Sequence, residues 1–120
     1  MNELYSLQEI CKALGVTRRA VQGYEKAGLV SATDRNKYGH LRYGVKEQER
    51  IRKIKFFQQL GFKIRDVKEL IDAPNNFVKE ALERQVLELE KEQNKLDALI
   101  KEARQLIRQL AGEQEEKYNE

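Results

Sequence analysis

The chain has 120 residues, 36% of them charged and 40% hydrophobic, with a formal net charge of +3. A composition of this kind suits one small helical domain with an extension, and its short apolar runs exclude a membrane-spanning helix. The charge is uneven: residues 1–72 carry 15 Lys and Arg against 9 Asp and Glu, whereas residues 73–120 carry 8 against 11. The basic part is where a polyanion is expected to bind, since cations that neutralise phosphates release counterions.

In chain order, residues 6–14 predict a helix. Ser6-Leu7-Gln8-Glu9 has capping-box spacing, Leu7, Ile10, Cys11 and Leu14 share one face, and Gly15 supplies a left-handed stop. A second helix follows from the N-cap Thr17 to about Ala27, closed by Gly28, with Ala20, Val21 and Tyr24 inward and Arg18, Arg19 and Gln22 outward. Two capped helices joined by the tight turn Gly15-Val16-Thr17 form a helix-turn-helix pattern, in which the second helix enters the DNA major groove.

Residues 31–43 lack a helical period. Asn36 to Gly39 predict a turn between two short extended segments, a β-hairpin wing carrying Arg35, Lys37, His40 and Arg42. A third helix is expected over Val45–Leu60, ending at Gly61, with Val45, Ile51, Ile54 and either Phe56 or Phe57 facing the core. A fourth covers about Ile64–Ile71, with Val67, Leu70 and Ile71 inward. Pro74, the only proline, marks a boundary.

From Phe77 to Ala111 the pattern is one long helix. Leu82, Val86, Leu89, Gln93, Leu96, Ile100, Ala103, Ile107 and Leu110 alternate spacings of four and three, an a/d heptad seam with Gln93 as its polar member. Such a helix buries nothing alone, and a second copy is the simplest partner. The expected organisation is a DNA-binding domain over 1–73, a dimerisation helix over 74–111 and a frayed polar tail over 112–120. The fold class is therefore mainly α: a winged helix-turn-helix domain followed by a long coiled-coil helix.

These elements resemble the MerR family of bacterial transcription regulators. The resemblance rests on Tyr5 through Cys11, Leu14-Gly15-Val16, Tyr24-Glu25-Lys26-Ala27-Gly28-Leu29-Val30, Gly39 through Tyr43, and Phe57 through Ile64. It implies an antiparallel coiled-coil homodimer on a palindromic operator, whose distorted promoter DNA is then used by RNA polymerase. Deforming a duplex costs energy that added phosphate contacts offset. The chain departs from the family pattern in two places. Gln22-Gly23 stand where Arg-Tyr is usual, and Leu41 of Gly39-His40-Leu41-Arg42-Tyr43 holds the usual wing arginine position. Gly23 also costs the helix about 1 kcal/mol relative to alanine.

The expected DNA-binding residues are Arg18, Arg19, Gln22, Tyr24, Lys37, His40, Arg42 and Lys63. Arg18 and Arg19 can read bases or clamp phosphates, and Gln22 can present a bidentate amide to adenine or stand as a surface residue. Tyr24 combines ring packing with a hydroxyl suited to a phosphate, and Lys63 stands at the entrance to the fourth helix. His40 can touch a phosphate from the wing or be a bystander. Cys11 reads as core, and no cysteine lies between Asp72 and Glu120, so thiolate metal sensing is not expected.

No cofactor, metal site or catalytic constellation is expected, and the chain reads as a non-enzyme. Met1-Asn2-Glu3-Leu4-Tyr5 lacks a secretory pattern, so a cytoplasmic location is expected. No appended effector domain is expected after Leu110, and any signal is expected to come from a small ligand at the junction of head and long helix, a protein partner or a separate partner domain. Two rival readings stay open: an architectural or excisionase-like DNA-binding factor, and a coiled-coil adaptor whose basic head takes an acidic protein.

Overall fold

The computed structural model describes the backbone of residues 4–119 and the side chains of residues 4–112. Its elements run β1 (Tyr5–Ser6), α1 (Leu7–Leu14), α2 (Arg18–Lys26), β2 (Asp34–Arg35), β3 (Leu41–Tyr43), α3 (Val45–Gln59), α4 (Ile64–Leu70) and α5 (Asn75–Asn119). The chain divides into two compact units, Met1–Lys79 and Glu80–Glu120.

In the first unit, local chemistry sets the helix ends. The Ser6 N–H donates to the Glu9 carboxylate at 2.9 Å, and the Glu9 N–H donates to Ser6 Oγ at 3.1 Å. Bonding to Ser6 holds the Glu9 carboxyl below its usual range. Gly15 closes α1 in the left-handed region at φ 64°. Lys55 of α3 then donates through Nζ to the Leu14 and Gly15 carbonyls at 3.0 and 2.9 Å, placing a cation on the negative end of α1. Thr17 caps α2 by accepting from the Ala20 N–H at 3.0 Å.

The wing is a three-stranded antiparallel sheet of order β1-β3-β2. Tyr5 faces Tyr43 and Ser6 faces Arg42 on one side of β3; Asp34 faces Arg42 and Arg35 faces Leu41 on the other. Strand β1 is absent from the sequence expectation of a simple hairpin. Ser6 has an extended backbone, so one residue ends a strand and caps a helix at once.

The core gathers around Ile10, Val21, Tyr43, Ile51, Ile54 and Val67, each fully buried, with Tyr24, Leu29, Val30, Phe57, Leu70 and Ile71 close behind. Val45 and Phe56, two expected candidates for this core, are instead half exposed at 51% and 52%, and Phe57 takes the inward place. Val45 stands nine residues before Ile54, which at 3.6 residues per turn is about two and a half turns and hence the opposite side of α3. Phe57 packs edge-on against Phe62, with ring centroids 6.0 Å apart.

Polar side chains tie the loops to this core. The buried Tyr43 phenol donates to the Glu25 carboxylate of α2. Burial, and then that carboxylate, push the Tyr43 phenol well above its ordinary value. Thr33 donates to Glu47 at 2.8 Å and accepts from the Gly44 N–H at 2.8 Å, while Gln48 donates to the Tyr43 carbonyl at 3.0 Å. Arg50 donates from Nε to the Leu29 carbonyl and from both terminal nitrogens to Asp72, at 2.7 and 2.8 Å. The Arg50 hydrogen bond holds the Asp72 carboxyl below its ordinary value.

The second unit is the remainder of α5. The helix begins at Asn75, just after Pro74, and runs to Asn119, so the backbone of residues 112–119 is helical where a frayed tail was expected. That segment contains no proline, and its Glu, Gln and Lys are good helix formers that offset the single Gly112. Val86, Leu96, Ile100, Ile107 and Leu110 of the seam, and Leu87, Leu99 and Leu106 beside it, are all 47–64% exposed. Among the described residues, no helix is long and apolar enough to cross a membrane.

Arg50 and Asp72 separate two contributions to stability. Arg50→Ala removes the charged donor of the Leu29 carbonyl and should cost about 2 kcal/mol. Asp72→Asn disturbs only the solvent-screened arm of the pair and should cost about 0.5 kcal/mol or less. Urea unfolding of both variants at one fixed protein concentration checks the order; equal losses would contradict it.

Candidate nucleic-acid interface

Helix α2 sorts its residues by face. Val21 and Tyr24 are buried, and Arg18, Arg19, Gln22, Gly23 and Lys26 are exposed. The spacing of 18, 22 and 26 places three polar side chains along one outward line of the helix. Arg18 and Arg19 form no ion pair among the described residues, so both guanidinium groups face solvent with their donors unclaimed.

Tyr24 stands apart from the other expected DNA-binding residues. It is only 4% exposed, and its hydroxyl donates to Gln58 Oε1 of α3 at 2.6 Å. Burial raises its phenol pKa above the ordinary value. The residue therefore locks α2 onto α3 and offers little to the outside. Gly23 has no such internal duty. A Cβ built there meets nothing within 4 Å, and its backbone is not in the left-handed region.

The wing is held by a dense set of local bonds. Asn36 Oδ1 accepts from the Tyr38 and His40 N–H groups at 2.9 and 3.0 Å. The Asn36 N–H donates to the His40 carbonyl and the Gly39 N–H to the Asn36 carbonyl, both at 2.9 Å. Gly39 makes the turn at φ 82°, a region that suits glycine. Arg35 donates from Nη1 to the Gly39 carbonyl at 2.7 Å.

Arg42 is paired with Asp34 through Nε and Nη2, each at 2.7 Å. That bond raises the Arg42 pKa and lowers that of Asp34. The sequence expectation of Arg42 as a DNA-contacting cation leaves out its partner Asp34, which binds it at both carboxylate oxygens. The signal was available, because a turn closed by Asn36 and His40 sets Arg35 opposite Leu41 and Asp34 opposite Arg42.

Lys37 and His40 remain exposed at the hairpin tip, together with Tyr38, which the sequence reading did not single out. Lys63 is exposed at the N-cap of α4, where its N–H donates to the Asp66 carboxylate at 3.3 Å. Cys11 is free and half-buried. Among the described residues, no group of three or more His, Cys, Asp or Glu is placed to hold a metal ion.

The first unit thus presents a helix with a cationic outer face and a braced, positively charged wing. Comparison with known proteins agrees with this architecture. The family model described as MerR HTH family regulatory protein matches residues 5–74. The HTH-type transcriptional activator mta of Bacillus subtilis is 29% identical over 96 residues, which is 80% of this chain and 37% of that protein's length. This chain thus spans little more than a third of that relative.

Two solved structures show the same fold. HiNmlR, a MerR family regulator lacking the sensor domain and bound to promoter DNA, aligns with a TM-score of 0.71 at 17% identity, covering 82% of this chain and 79% of that one. MtaN, the N-terminus of the Bacillus subtilis multidrug transporter activator, aligns with a TM-score of 0.67 at 27% identity, covering 86% and 97%. The chain belongs to the MerR helix-turn-helix family of regulatory proteins.

Proposed function

We propose that the protein is a transcriptional regulator that binds promoter DNA as a homodimer on a two-fold palindromic element and distorts it, so that RNA polymerase is affected through the shape of the promoter. The observation that carries this reading is the outer face of α2, where Arg18, Arg19 and Gln22 stand exposed beside the open position of Gly23. Arg18 and Arg19 supply phosphate or guanine contacts, and Gln22 presents its amide to a base edge. Lys37, His40 and Lys63 add backbone contacts from the wing and the start of α4, which position a protein on a duplex without reading sequence. The promoter-bound state of HiNmlR supports DNA as the partner.

The homodimer is supported by the apolar row of α5. Eight large apolar side chains between Val86 and Leu110 are about half exposed or more in the single chain, an extent that a soluble helix covers by pairing. Two copies would also place two reading heads on one duplex, matching a palindrome.

Selection from a random duplex library, with retention compared at two salt concentrations, tests the DNA reading. Recovery of a salt-sensitive palindrome is the expected result, and no enrichment at either salt contradicts it. On the recovered duplex, Arg18→Ala and Arg19→Ala should each weaken binding and reduce the slope of log affinity against log salt by about one unit per lost phosphate contact.

Ile100→Asp tests the pairing surface, because it sets a carboxylate at the middle of the apolar row. Sedimentation equilibrium should give twice the 14.1 kDa chain mass for the parent protein and the single mass for the variant. A monomeric parent would remove the homodimer.

A further inference from the structure

The two arginines of the wing are both engaged within it: Arg35 on the Gly39 carbonyl and Arg42 on Asp34. What the hairpin tip holds out is a different set. Tyr38 is 71% exposed, the most exposed large hydrophobic side chain among the described residues. Lys37 Nζ lies 5.1 Å from the centre of its ring, and the His40 ring lies 6.4 Å away on the other side of Gly39. An aromatic residue on so polar a hairpin contributes nothing to the core, and its backbone N–H is tied to Asn36, so the tip is ordered before any partner arrives.

Resting on the DNA-binding reading, we infer that Tyr38 is the residue through which the wing grips the duplex, its hydroxyl donating to a backbone phosphate, while Arg42 is a positioning residue. The Arg42 geometry argues against a direct phosphate contact. Both oxygens of Asp34 are bound at 2.7 Å, and releasing Arg42 toward DNA would leave an unpaired carboxylate facing the same phosphates. Paired, the two side chains are together electrically neutral and pin β2 to β3 beneath the tip. Tyr38 offers the complement: a donor that carries no charge, on a ring flanked by Lys37.

The two roles have separate signatures in titrations of a labelled duplex recovered by selection, at several salt concentrations. Tyr38→Phe removes only the hydroxyl and should weaken binding about tenfold at every salt, the usual effect of losing a hydrogen bond to a charged group. Its salt slope should equal that of the parent, because no cation is lost. The double substitution Asp34→Asn with Arg42→Gln keeps the wing's net charge and should leave the slope unchanged.

The inference is overturned if Tyr38→Phe binds within about twofold of the parent, or if the double variant loses about one unit of slope, which would make Arg42 a phosphate contact. Thermal unfolding followed by circular dichroism confirms that each variant is folded. If the parent shows no salt-dependent duplex binding, the DNA reading itself fails and this inference with it. If Arg18→Ala weakens binding and Tyr38→Phe does not, the wing assignment alone is wrong.

Discussion

The placing of the Tyr43 side chain is the constraint on which the rest of the head depends. Its ring is fully buried, and a buried phenol left without a partner would cost as much as a lost hydrogen bond, so its donation to Glu25 fixes α2 against the end of β3. The same residue pairs with Tyr5 across the sheet, and its carbonyl accepts from Gln48 at the start of α3. Strand β3, helix α2 and helix α3 therefore meet at one residue. The wing and the outer face of α2 keep a fixed spacing because both are referred to that point.

A formal charge count overstates what the head can offer a polyanion. Lys55 closes α1, Arg50 ties Leu29 to Asp72, Arg42 faces Asp34, and Lys53 lies 5.9 Å from the centre of the Phe57 ring. Lys55, Arg50 and Arg42 work inward, as a helix cap and as struts, while Lys53 stays exposed beside its ring. The cations left outward lie on several elements, among them Arg18, Arg19 and Lys26 on α2, Lys37 on the wing and Lys63 at the start of α4. The division makes chemical sense, since arginine and lysine carry long apolar stems that pack while their heads seek carbonyls or carboxylates.

Much of this was legible in the residues. The capping box at Ser6, the left-handed Gly15 and the Thr17 cap are local features, decided within four residues, and the structure shows each one. The inward members of α2 and α4 also follow from periodicity. What sequence reading missed depends on tertiary partners. Ser6 as a strand end needs Arg42 across the sheet, and Lys55 as a cap needs a carbonyl forty residues away. The choice of Phe57 over Phe56 was within reach: counted from Ile54 at 3.6 residues per turn, Phe56 and Val45 both fall on the far side of α3. The Arg42–Asp34 pair was also within reach once the turn residues were fixed.

The helix α2 keeps its buried and its exposed residues on separate sides. Val21 and Tyr24 hold it to the core, while Arg18, Arg19, Gln22 and Lys26 stand exposed and a Cβ at Gly23 would meet nothing within 4 Å. Substitutions at exposed positions of this kind usually change stability little. On the proposed role of α2, a lineage built on this head can drift to new target sequences one side chain at a time, at little cost to the fold. Likeness of fold among such relatives, even at 27% identity, is thus no guide to a shared target sequence.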